Sequence, residues 1–172
     1  MPVFNEKDNL SRLESELVKF INSTVFETKV LLINDGSTDG SEDIINKICK
    51  KNDFFESVSF IKNSGLSSAL KAGFDLCNSE YIGYIDADLQ TSPSDFHILL
   101  KYIDQYDLIT GYRSNRKDSY LKNISSLVAN GIRNIFTNDG VNDTGCPLKV
   151  IKTDFAKRIP MFKGLHRFLP AM

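Results

Sequence analysis

Residues 81–93 read YIGYIDADLQTSP, and the rest of the chain is organised around them. Tyr81, Ile82, Tyr84 and Ile85 make a short apolar strand that runs directly into Asp86, Asp88 and Gln90. Two carboxylates one residue apart at a strand end can point into the same crevice, where they would repel each other unless a cation lay between them. Oxygen-only ligands of this kind suit Mg²⁺ or Mn²⁺, which keep waters and bind substrate phosphates as well. Pro93 ends the extended segment, and Ser94 or Asp95 is placed to cap the helix that follows. A lone Asp-x-Asp has a plainer reading as a solvated acidic turn, so its surroundings must decide.

Upstream, the pattern is one of alternation. Pro2-Val3-Phe4-Asn5-Glu6 is the tail of a strand and the loop after it. Leu10, Leu13, Leu17 and Ile21 then recur at helical spacing, with Asn5 or Asp8 as the cap. Lys29–Ile33 is a β-branched apolar run suited to a buried parallel strand. It breaks into NDGSTDGS (34–41), and Ile44, Ile45 and Ile48 mark a second helix. A strand is expected over 58–61, a turn at 63–65, and a helix over 66–77 with Leu66, Ala69, Leu70 and Gly73 on one side. Downstream of the central strand, Phe96, Leu99, Leu100 and Ile103 indicate a helix, and Asp107–Thr110 a further strand. Strands alternating with helices predict an α/β fold with a mostly parallel sheet and helices on both faces. Such sheets bind ligands at the carboxyl ends of their strands, where both acidic loops, 34–39 and 86–90, fall.

Beyond residue 110 the character changes. Arg113, Arg116, Lys117 and Lys122 stand against the single Asp118 in residues 111–123, a local charge of +3 in a chain of net charge −1. A helix is expected from Tyr120 to about Phe136, followed by DTGCPLK (143–149) and a last segment ending GLHRFLPAM (164–172).

The chain as a whole bounds the answer. Its 172 residues make one domain large enough for a core, and 41% hydrophobic with 25% charged residues is a globular composition. A net charge of −1 argues against general nucleic-acid binding. Cys49, Cys77 and Cys146 are odd in number and lack metal-type spacing, which fits free thiols in a reducing compartment. There is no internal repeat, no signal peptide and no apolar run of the roughly 18 residues that span a bilayer. A cytoplasmic location follows as the expectation.

Six segments in order, PVFNE (2–6), NDGSTDGS (34–41), DADLQ (86–90), GYRSNRKD (111–118), DTGCPLK (143–149) and HRFLPAM (166–172), resemble family 2 glycosyltransferases. The resembling branch is the polyprenyl-phosphate glycosyltransferases, such as dolichyl-phosphate mannose synthase and the bacterial undecaprenyl-phosphate sugar transferases. The resemblance implies a GT-A fold and inverting transfer of a sugar from a UDP- or GDP-sugar to a polyprenyl phosphate at the inner membrane face, in cell-envelope glycan assembly. It places Pro2, Phe4 and Glu6 beside the nucleotide, and Asp35 at the base. It also makes Asp86, Asp88 and Gln90 the Mg²⁺ or Mn²⁺ and diphosphate site, with Asp88 catalytic. Arg113, with Arg116, Lys117, Lys122 and Arg167, would receive the acceptor phosphate, and Asp143 would stand near the reacting sugar, so that Arg113 and Asp143 join Asp88 as the catalytic residues. His166 falls in a segment that in relatives lies by the active site.

Each role has a plain rival. Asp35-Gly36-Ser37 also reads as a helix-capping turn, the basic cluster as a solvated face, Asp143 as a turn residue and His166 as a structural histidine. The chain also departs from the pattern. Met1 stands where relatives have a full strand, Leu66 and Ser67 where a basic residue is common, and Lys122 where arginine is usual. Relatives continue past the HRFLPA-like segment into a membrane-associated region. A saccharide acceptor, or donor binding without transfer, is therefore the alternative function. Aspartate-nucleophile phosphatases are set aside, because they need Thr or Val where this chain has Gln90.

Overall fold

The computed structural model describes residues 1–112, 145–162, 164, 165 and 169. Strands β1 (Pro2–Val3), β2 (Val30–Asn34) and β3 (Phe55–Ser59) form a parallel sheet in that order. Strands β4 (Tyr81–Tyr84), β5 (Leu108–Thr110) and β6 (Lys149–Lys152) form a second, with β6 between the other two and antiparallel to both. Among the described residues β6 is the antiparallel strand of an otherwise parallel plan, as the βαβ alternation predicts.

Helices cover both faces of this strand layer. Alternate residues of β2 look opposite ways, as a pleated strand requires. Val30 and Leu32 pack with Leu10, Leu13 and Leu17 of α1 (Lys7–Ser23) and with Ile45 and Ile48 of α2 (Ser41–Lys51). Ile33 meets the other face, where a Cβ added at Gly73 of α3 (Leu66–Leu76) would be in ordinary contact with its side chain at 3.7 Å. The second sheet repeats the arrangement. Ile85, Leu148 and Val150 pack with Phe20 of α1 and with Phe96, Leu99 and Ile103. Ile82, Tyr84 and Ile151 pack with Leu70 and Phe74 of α3 and Ala156 of α5 (Thr153–Arg158). Helices α1 and α3 thus each bridge both sheets, from opposite sides.

Four local expectations are corrected. The strand expected at 58–61 runs over Phe55–Ser59, because Phe55 is buried at 3% exposure whereas Ile61 stands fully in solvent. The helix expected around Phe96–Ile103 is broken into a 3₁₀ turn (Pro93–Asp95), α4 (Phe96–Leu99) and a second 3₁₀ turn (Leu100–Tyr102). Ser92, not Ser94 or Asp95, caps it, accepting from the Ser94 amide. Neither Asn5 nor Asp8 caps α1: the amide of Glu6 donates to Ser41 Oγ and that of Lys7 to Asp39 Oδ2, more than thirty residues away. β6 and α5 carry no periodic signal in the sequence. The helix expected over 120–136 lies outside the described residues.

Candidate functional site

The loops after β1, β2 and β3 are stitched together by side chains of the NDGSTDGS segment. Asn34 Oδ1 accepts from the Ser37 amide at 3.1 Å, turning the chain back on itself. Ser37 Oγ then takes the Asn5 amide at 3.0 Å, and Asn5 Oδ1 takes the Thr38 amide at 2.9 Å. Asp39 accepts from the Lys7 amide and from both the amide and hydroxyl of Ser41. These bonds hold its carboxyl below the usual range. On the other side Asp35, 3% exposed, accepts the amides of Ser64 at 2.7 Å and Gly65 at 2.9 Å. Gly36, at φ +68°, fits against the backbone of Lys62 and Asn63, where an added Cβ would lie 2.4–2.5 Å away. A carboxylate has about four acceptor directions. Asp35 therefore keeps capacity for an N–H from a ligand while its two backbone bonds aim it.

The loop after β4 joins this assembly through its apolar residues. Ala87 packs with Val3 and Leu10, and Leu89, at φ +58°, packs against the same cluster. The intervening Asp86 and Asp88 are left half-buried, and Gln90 is exposed. The spacing of one between the carboxylates is thus the spacing of a loop anchored at every second residue. Tyr84 OH donates to Asp86 Oδ1 at 2.7 Å, and the Gln90 amide to Asp88 Oδ1 at 3.1 Å. Burial, and then the charge of Asp86, push the Tyr84 phenol well above its ordinary value, which favours its protonated, donating form. This hydroxyl is a site group that the sequence reading missed, although its place two residues before Asp86 on one strand face was the available signal.

Oxygen donors alone line this loop, which fits a hard cation. Among the described residues no three carboxylate, imidazole or thiol groups converge. Asp86 and Asp88 therefore offer a share of the roughly six oxygens that Mg²⁺ takes, and fit an ion that a bound diphosphate also ligates.

Of the expected nucleotide-side residues, Pro2 is buried in β1, paired with Ile33, while Phe4 is 44% exposed at the loop. Glu6 is half-buried at the start of α1, accepting from Asn9 Nδ2 at 2.6 Å. They share one edge of the layer with Asp35 through the bonds above. Arg113, Arg116, Lys117, Lys122, Asp143, His166 and Arg167 lie outside the described residues. No helix among the described residues is long and apolar enough to cross a membrane.

Comparison with known proteins adds a family and a fold. The profile described as glycosyl transferase family 2 matches residues 1–159. The dodecaprenyl-phosphate galacturonate synthase of Rhizobium johnstonii is 30% identical over 177 residues, covering 99% of this chain and 52% of that protein. The undecaprenyl-phosphate 4-deoxy-4-formamido-L-arabinose transferase of Edwardsiella ictaluri is 29% identical over 174 residues, covering 100% and 54%. The chain thus spans about half the length of these relatives. Among solved structures, the mannosyl-3-phosphoglycerate synthase of Rubrobacter xylanophilus superposes with a TM-score of 0.71 at 15% identity, over 90% of this chain and 52% of that one. A mannosyltransferase from Pyrobaculum calidifontis, in complex with GDP-Man and Mn²⁺, gives 0.66 at 14% identity, over 94% and 45%. At these identities the likeness is one of fold, and the architecture is GT-A.

Proposed function

The chain belongs to glycosyl transferase family 2, and from that premise we propose that it is the catalytic domain of an inverting, divalent-metal-dependent glycosyltransferase. The donor is a UDP- or GDP-sugar and the acceptor a polyprenyl phosphate. The observation that carries this reading is the anchored Asp86-Ala87-Asp88 loop beside the stitched loops of β1–β3. Asp35 and the Pro2–Glu6 loop would bind the nucleotide, and Asp86, Asp88 and Gln90 its diphosphate with Mg²⁺ or Mn²⁺. When bound, the cation supplies charge stabilisation to a departing diphosphate.

An acceptor phosphate is already anionic near neutral pH, so it needs positioning more than deprotonation. Arg113, supported by Arg116, Lys117, Lys122 and Arg167, would provide it, since guanidinium forks match phosphate oxygens. One phosphate oxygen attacks the anomeric carbon as the bond to the diphosphate breaks on the opposite face, inverting the centre. Asp143 would orient the acceptor. The polyprenyl class is supported by what the sequence relatives are named for, transfer to dodecaprenyl and undecaprenyl phosphates.

The reading is tested by incubating the protein with UDP- and GDP-sugars, Mn²⁺ and a short-chain polyprenyl phosphate. Lipid-linked sugar should form with one donor, and Arg113→Ala should lower turnover by about 10²-fold, the loss of a preorganised charge contact. Transfer to a saccharide but not to the lipid phosphate would overturn the acceptor class. Donor binding with no transfer to either would overturn the enzymatic reading.

A further inference from the structure

We propose that Lys149 is a positioning residue of the donor site, a buried cation that fixes the Tyr84 ring and, through the Tyr84 hydroxyl, the orientation of Asp86. Lys149 is 1% exposed, and an ammonium in such a place is costly unless neighbouring groups compensate it. Its Nζ donates to the Cys146 carbonyl and lies 5.5 Å from the centroid of the Tyr84 ring, within the range of cation–π attraction.

The sheet dictates this meeting. Tyr84 on β4 and Lys149 on β6 are direct cross-strand partners, so their side chains leave the sheet on the same face. Tyr84 is itself 4% exposed, with its hydroxyl 2.7 Å from Asp86 Oδ1. A cation against a phenol ring draws electron density from it and strengthens the O–H as a donor. The contacts run in series from the Cys146 carbonyl to the ammonium, the ring, the hydroxyl and the carboxylate. A methionine would fill the space without a buried charge, so the lysine's contributions include its field on Tyr84 and its hold on the turn at 145–148.

This inference rests on the assignment of Asp86 and Asp88 to the donor diphosphate, and the test separates the two. Mn²⁺ is titrated into the 172-residue protein with UDP, and separately GDP, and nucleotide binding is read by calorimetry. Wild type is compared with Lys149→Met, Tyr84→Phe, the double variant and Asp88→Asn. The Mn²⁺ concentration for half-maximal binding should rise about tenfold in each of the first two, the usual cost of losing an outer-shell partner. Nucleotide affinity without metal should not change. The double variant should be no worse than Tyr84→Phe, because both substitutions act through one contact. If Asp88→Asn loses metal-dependent binding while Lys149→Met and Tyr84→Phe keep it, the Lys149 inference is overturned and the donor site stands. Additive losses in the double variant overturn it as well. If Asp88→Asn binds as wild type does, the donor-site assignment falls, and the inference with it. Should Lys149→Met fail to fold, Tyr84→Phe decides: a folded variant with unchanged Mn²⁺ requirement refutes the relay.

Discussion

At the scale of single residues, the NDGSTDGS segment shows how one motif serves structure and site together. Gly36 combines φ +68° with backbone packing that leaves no room for a Cβ. Gly36→Ala should therefore lower stability by about 2–4 kcal/mol, strain and overpacking together, measured as a fall in the denaturant midpoint. An unchanged midpoint would mean that the loop re-forms around the methyl group. The plain rival makes Asp35-Gly36-Ser37 a helix-capping turn; the capping acid is instead Asp39, which accepts from Lys7 at the start of α1 as well as from Ser41 at the start of α2. Sequence reasoning assigns caps to neighbours in the chain, and a cap supplied from thirty residues away has no local signature. Lys149 was overlooked for a related reason, since a lysine at a strand end reads as a surface residue, yet it is fully buried.

Among elements, legibility followed apolar content. β2, α1, α2 and α3 were readable because Leu32, Leu10, Ile45 and Leu70 sit on faces with clear strand or helix periods and are buried as expected. β6 was not, because Lys149-Val150-Ile151-Lys152 gives only two apolar residues and its place is set by pairing with β4 and β5. The union of α1 with α2 makes a pH-dependent prediction. Glu14 accepts from Lys51 Nζ at 2.8 Å and Asn52 Nδ2 at 2.9 Å. The Lys51 bond, with that of Asn52, outweighs partial burial and holds the Glu14 carboxyl below its ordinary range. A carboxylate depressed on folding stabilises the protein above its unfolded pKa, and that contribution is lost as pH falls through the folded value. Lys51 is largely exposed, so Glu14→Gln should cost only about 0.5–1 kcal/mol at pH 7. The difference from wild type should shrink in urea unfolding as the pH is lowered through the depressed titration of this carboxyl and vanish below it. A difference that persists there would mean that packing, not charge, joins the helices.

For the whole molecule, the GT-A layer places the carboxyl-end loops of β1–β3 and the Asp86–Gln90 loop on one edge, held by hydrogen bonds on one side and by Ala87 and Leu89 on the other. The sequence announced this edge through its order of motifs, while the acceptor-side cations and Asp143 remain assigned by resemblance alone. With only two carboxylates in the described loop, metal and nucleotide should bind together rather than separately. The most direct measurement is calorimetric titration of UDP and then GDP into the protein, with and without Mn²⁺, repeated with Asp88→Asn. Metal-dependent binding of one nucleotide, weakened at least about 10²-fold in Asp88→Asn as expected for loss of a metal ligand, is the predicted result. Equal binding with and without Mn²⁺, or an Asp88→Asn protein indistinguishable from wild type, would contradict the donor site described above.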